Sequence, residues 1–196
     1  MEEYKIYFPK IENKGSKCMQ IVTSGPDSHK EEIKYSYIKM INSAKKNIYI
    51  QTPYFVPDEA LMESLKLAII SGVDVNLMIP GKPDKMYVYF ITLSYIEELL
   101  EIGAKIYLYD GFIHSKTIVI DSEVSSIGTT NFDVRSFSLN YEINAVIYDE
   151  EFGKLNEEVF LKDTETSTLL ELCKFKKRSG IRKIAERIFK LFSPLA

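Results

Sequence analysis

Two cysteines and two histidines are the only thiols and imidazoles that the 196 residues offer a transition metal. Cys18 and Cys173 stand far apart with no CxxC spacing, and His29 and His114 cannot complete a plausible ligand set. That argues against a zinc site and for free thiols. Long apolar runs are missing as well: none approaches the roughly 18–20 residues that span a bilayer. The opening MEEYKIYF has the wrong charge and no apolar centre for a signal peptide. Internal repeats and low-complexity segments are also lacking. What remains is 45% hydrophobic residues, enough for one domain with a real core plus an appendage.

Charge is unevenly spread. From Lys174 to Lys190 there are eight Lys or Arg and one Glu, a balance of +7 in a chain of net −3, which leaves −10 on the remainder. An acidic body with a basic tail implies an anionic partner for the tail, a nucleic acid or a membrane surface. A solvated basic helix is the plainer alternative.

Residues 1–16 read as a poorly ordered leader. A strand is expected over 18–24, a helix over 31–46 and a second strand over 47–52. A helix follows with Pro57 in its first turn, Asp58 and Glu59 at its positive end and Gly72 as its stop. VDVNLMIP is a strand, the pattern over 86–103 a helix closed by Gly103, and AKIYLYD a strand again. The alternation predicts an α/β fold with a mixed, largely parallel central sheet flanked by helices on both faces. After Gly111 the segments FIHSKTIVID, VSSIG and YEINAVIYD are β-rich, so antiparallel pairing enters there.

The chemistry concentrates in GFIHSKTIVIDSEVSSIGTTNFD. Strand alternation puts His114, Lys116 and Ile118 on one side. An imidazole and an ammonium together suit a phosphate: lysine supplies a compact charge, histidine a nucleophilic or proton-donating nitrogen. Asp121 ends the apolar run, placed to order the lysine or the turn. Gly128 permits a tight backbone, and Thr129, Thr130 and Asn131 offer donors to phosphate oxygens.

The spacing H-x-K-x4-D-x6-G-T-x-N resembles the signature of the phospholipase D superfamily, with Thr129 where serine or glycine is usual. The resemblance continues through SGPDS, residues 41–84, SYIEELLEIGAKIYLY, GTTNFDVRSFSLNYEINAVIYD and the terminal LFSP, which look like the second half of a bacterial cardiolipin synthase. It implies a phospholipase D-like sandwich over 17–165 and a tail over 166–196. It also implies phosphatidyl transfer through a covalent phosphohistidine, with no metal and no cofactor, carried by His114, Lys116 and Asp121. Gly128, Thr129 and Asn131 would hold the phosphate, and Glu142 would bond the histidine and set its tautomer. Asp133 and Arg135 are expected to brace the loop. Tyr54 and Phe55 are expected either to line the cleft or to pack beside the two prolines.

Such enzymes bring two motifs to one cleft, and this sequence has one, because HKEEIKYS around His29 lacks the lysine. The resemblance therefore implies the C-terminal half of a longer membrane-anchored enzyme, with a second motif-bearing half and anionic phosphatidylglycerol as partners. The alternatives are a single-motif endonuclease that dimerises and a half-domain inactive alone. A body of −10 argues against nucleic acid. In the tail, Ile181, Ile184, Ala185, Ile188, Phe189 and Phe192 share a helical face, with Arg182, Lys183, Arg187 and Lys190 opposite. This pattern suits an anionic membrane surface, or else a helix that docks its apolar stripe on the domain.

Overall fold

The computed structural model describes residues 15–28 and 30–193. The expected leader therefore lies almost wholly outside the described residues, as does His29. In chain order the elements begin β1 (Cys18–Ser24), α1 (Glu32–Ser43), β2 (Asn47–Gln51), β3 (Phe55–Val56), α2 (Glu59–Ile70), β4 (Asp74–Pro80), α3 (Met86–Glu101) and β5 (Lys105–Tyr109). There follow β6 (Thr117–Ile120), β7 (Val124–Gly128), β8 (Phe132–Asp133), α4 (Val134–Ser138), β9 (Glu142–Tyr148), α5 (Glu150–Thr164), β10 (Ser167–Leu169), α6 (Leu172–Lys176) and α7 (Gly180–Lys190).

Helix boundaries follow local chemistry. Asp58 caps α2 by accepting from the Leu61 amide at 2.9 Å, Asp133 caps α4 and Asp149 caps α5 in the same way. Gly72 and Gly103, with φ of +92° and +108°, take the left-handed turn that follows α2 and α3.

Eight strands form one mixed sheet in the order β1-β9-β7-β6-β2-β4-β5-β10, and β3 pairs with β8 in a small second sheet. Helices cover both faces. Residues of α1, α2 and α3 pack with Ile48, Ile50, Leu77 and Ile79 in the larger core, while Phe160 of α5 meets Tyr49, Met78 and Val119 on the other face. The mixed α/β expectation holds, but the sheet is not largely parallel. Only β2–β4 and β4–β5 are parallel neighbours; the other five pairs in this sheet are antiparallel. The reason is connection length. Parallel neighbours need a crossover helix, which α2 and α3 supply, whereas β6 and β7 are joined by three residues and can only form a hairpin.

Two expected boundaries also shift. The strand read over 112–121 begins at Thr117, because β2 ends its pairing at Gln51 and β7 at Ile127, leaving residues 112–115 no ladder to join. The body does not stop at 165: β10 adds to β5 and Phe175 of α6 is buried in the core.

Candidate active site

Antiparallel pairing gathers one set of strand ends. Gln51 at the end of β2 faces Thr117 at the start of β6, Ile127 near the end of β7 faces Thr117 from the other side, and Glu142 opens β9 opposite Ser24. The motif residues are carried to this edge of the sheet. Lys116 immediately precedes β6, and its carbonyl accepts from the Gly128 amide at 3.3 Å. Its ammonium folds back to donate to the His114 carbonyl at 2.9 Å. Burial pulls the Lys116 ammonium below its ordinary pKa, with the nearby Glu142 and Asp133 carboxylates opposing that shift. Lys116, Glu142 and Asp133 therefore share one electrostatic neighbourhood.

His114 lies outside the ladder, exposed, its ring stacked on Phe112 with centroids 5.7 Å apart. Among the described residues its imidazole makes no hydrogen bond. The Glu142 carboxylate accepts instead from Asn140 Nδ2 at 3.2 Å, so the expected tautomer-setting contact is not made here. Glu142 is held at the start of β9 and His114 in an extended segment beyond the strand, and no pairing draws them together.

The glycine-threonine-threonine-asparagine loop is built around a residue that the sequence reading missed. Asn144 is buried in β9; its Oδ1 accepts from Thr130 Oγ1 at 2.8 Å, and its Nδ2 donates to Tyr37 Oη at 2.8 Å and Ser126 Oγ at 3.0 Å. A Cβ on Gly128 would collide with Asn144 Oδ1 and the Ile143 carbonyl, which explains the glycine by close approach rather than by backbone freedom. The available signal was a lone amide at an inward position of an otherwise apolar strand. Burial pushes the Tyr37 hydroxyl up to about 12, so it stays a neutral partner.

Thr129 is tied to β9: its amide donates to the Ile143 carbonyl at 3.0 Å, and its Oγ1 accepts from the Ile143 amide at 3.0 Å. Burial raises the Asp133 carboxyl, opposed by the bond from the Ser136 amide and by the nearby Asn131 amide. Asn131 Oδ1 is buried with no hydrogen-bond partner among the described residues. An amide carries two N–H donors, a chemistry suited to the oxygens of an anion. Asp133 braces the loop as a helix cap, and Arg135 is exposed in α4.

Asp121 needs correction as a catalytic residue. It sits at the opposite end of β6 from Lys116, where its carboxylate accepts from the backbone amides of Lys45, Lys46 and Asn47 at 2.8, 2.8 and 2.9 Å. It orders a turn, the second of its two expected roles. Phe55 is core, stacked on Phe132, while Tyr54 donates to Asp84 at 2.6 Å in a pocket floored by Pro53 and Pro80. Phe112 stacks beside His114, and Leu139, Tyr141 and Ile143 flank Glu142 in the chain; all four stay exposed as an apolar rim. A half-buried cation, an amide and an exposed imidazole on one sheet edge can hold a phosphoryl group and present a nitrogen to it.

The family described as cardiolipin synthase, PLD-like domain, matches residues 37–164. A cardiolipin synthase of Listeria monocytogenes serotype 4a (strain HCC23) is 52% identical over 195 residues, 98% of this chain and 40% of the relative. A cardiolipin synthase of Clostridium perfringens (strain ATCC 13124) is 56% identical over 177 residues, 90% of this chain and 37% of the relative. The chain thus spans about 40% of the length of the curated relatives it matches. In fold it is similar to the phospholipase D family member Nuc from Salmonella typhimurium, with a TM-score of 0.67 at 19% identity over 80% of this chain and 99% of that one. Phosphatidylserine synthase from Haemophilus influenzae Rd KW20 gives 0.73 at 15% identity, covering 91% of this chain and 47% of that chain.

Proposed function

We propose, on the premise that the chain belongs to the phospholipase D-like cardiolipin synthase family, that it is a catalytic half of a phosphatidyltransferase. The reaction is the joining of two phosphatidylglycerols into cardiolipin with release of glycerol. The observation that carries this reading is the closeness of Lys116 to Glu142 and Asp133, with the His114 carbonyl on the Lys116 ammonium, His114 exposed and Asn131 two residues before Asp133.

In the proposed sequence, a histidine nitrogen attacks the phosphodiester phosphorus. An N–P bond forms as the P–O bond to glycerol breaks, and a histidine on a second motif-bearing half gives glycerol its proton. That second histidine then takes the proton of the acceptor hydroxyl, which attacks the phosphohistidine and frees its nitrogen. His114 serves as one of the two histidines. Lys116 and the Asn131 amide bear on the non-bridging oxygens, where charge develops. Glu142 and Asp133 keep the lysine charged against its burial. The substrate is an anionic lipid, so the reaction belongs at a membrane. Among the described residues no helix is long and apolar enough to cross one.

The test is transfer from labelled phosphatidylglycerol by the chain together with its second half. His114→Ala should abolish product, and Lys116→Ala should lower the rate by about 10²–10³, the usual cost of removing one charge-stabilising group. Glu142→Gln should cost less than either. Full activity of His114→Ala, or cleavage of DNA in place of transfer, would overturn the reading.

A further inference from the structure

Helix α7 is attached to the domain by the side that an amphipathic helix ordinarily turns to water. Its inner face carries Glu186, only 2% exposed, which accepts from Arg178 Nη2 at 2.6 Å and Nε at 3.0 Å. Arg178 also reaches Glu97 of α3 at 2.9 Å and lies over the Phe175 ring at 3.6 Å. Further along, Lys190 pairs with Glu98 at 2.8 Å and lies over Tyr95, whose hydroxyl donates to Ser193 at 3.1 Å. Phe189 is the main apolar contact, stacked on Phe90.

The outer face holds Ile181, Ile184, Ile188, Leu191 and Phe192, between 51% and 83% exposed. At 100° per residue these centre roughly opposite Glu186. The docking of the apolar stripe on the domain, one of the two readings of the sequence, is therefore reversed, and Phe189, Arg182 and Lys190 fall on the inner side.

Burial of an ion pair while large apolar side chains stay in water is the reverse of what the hydrophobic effect selects. The arrangement is consistent if the stripe has a partner of its own. Charge identifies that partner. Lys177, Lys183 and Arg187 have no ion pair among the described residues, and Lys183 and Arg187 sit on the helix that bears the stripe. A second copy would bring one segment of +7 against another; an anionic lipid surface complements it.

We propose that α7 is a membrane-seating helix. The Glu186–Arg178–Glu97 network clamps it so that its apolar stripe enters the headgroup boundary of an anionic phospholipid bilayer. This deepens the proposed function and rests on it only for the choice of phosphatidylglycerol as the lipid. The seat is tied to the phosphate loop: Phe189 packs against the cluster of Val56, Val88 and Ile91, and Val56 pairs with Asp133, two residues after Asn131.

The experiment uses the whole chain in co-sedimentation with phosphatidylglycerol and phosphatidylcholine vesicles over a salt series. Binding should favour phosphatidylglycerol and weaken as salt rises. Ile184→Glu with Ile188→Glu should weaken it about 30-fold, roughly 2 kcal/mol, with an unchanged melting profile because both residues are exposed. A fluorophore on Ile188→Cys, in a Cys18→Ser, Cys173→Ser background, should be quenched by quencher-bearing lipid. Equal binding of the double variant, equal affinity for both lipids, or an unquenched label would overturn the proposal. So would a dimer in sedimentation that the double variant dissociates, because the stripe would then serve a second copy. Transfer measured in detergent by the chain together with its second half separates the two proposals: if it persists while vesicle binding fails, only the seating helix is wrong.

Discussion

Lys116 sets the electrostatics of the site through two opposed effects. Burial disfavours its ammonium, and the Glu142 and Asp133 carboxylates favour it, with burial the larger. Its folded pKa lies below the 10.5 of an ordinary lysine, so between those values the folded chain binds fewer protons than the unfolded one. Stability from this group therefore rises as pH increases through that window, and the cost of burying the charge is fully present below it. A phosphate beside the ammonium would favour the charged form and move the titration up. Nuclear magnetic resonance of isotopically methylated lysines should show a Lys116 midpoint below 10.5, shifting upward with saturating inorganic phosphate. A phosphate-free midpoint at or above 10.5 would contradict the burial argument.

At the scale of elements, the β6–β7 hairpin and the α1–β2 connection are held by one side chain. Asp121 and Ser122, with φ of 53° and 57°, form the centre of a tight turn closed by the Glu123 amide on the Ile120 carbonyl at 2.9 Å. This primed turn matches the twist of a hairpin, and aspartate tolerates its left-handed backbone. The same carboxylate gathers three amides at the start of β2. Gly153 of α5 lies so close that a Cβ there would collide with the Ser122 carbonyl. Asp121→Ala should cost about 1–3 kcal/mol in urea unfolding, less than three full charged hydrogen bonds because the group is partly exposed. Asp121→Asn should cost less, keeping one acceptor and the turn preference. His114→Ala, at an exposed position, should stay within about 0.5 kcal/mol. If Asp121→Ala left stability unchanged but abolished transfer, a chemical role would have to be restored.

At the scale of the molecule, the edge that bears the candidate site is uncovered among the described residues. His114 is exposed with Phe112 beside it, and Leu139, Tyr141 and Ile143, neighbours of Glu142 in the chain, leave further apolar surface, Tyr141 being 73% exposed. An open edge gives weak electrostatics, since water screens a charge that a closed cleft would let act at full strength. A second motif-bearing half over this rim would exclude the water and supply the second histidine. The chain alone should therefore transfer little phosphatidyl group, and co-expression of a second half should restore product. Sedimentation of the two together should show a stable heterodimer. Full activity in a chain that sediments as a monomer would contradict a two-motif cleft.

Much of the architecture was legible locally, and so were the candidates for the site. Strand β1 runs over the expected 18–24, Asp58 and Gly72 bound α2 as read, and the motif spacing singled out His114, Lys116 and Asn131 before any fold was known. Caps, glycine turns and apolar periodicity act within a few residues, so the chain states them in order. Tertiary structure decided which strands are antiparallel neighbours, where β6 begins, and that Asp121 serves amides 74 to 76 residues away rather than the lysine five residues before it. It also made Asn144 the hub under the Gly128–Asn131 loop and turned the ionic side of α7 inward. Each of these outcomes depends on a partner distant in sequence or on a choice between two faces of one element. Local pattern is the same for either choice, and only packing against the rest of the chain separates them.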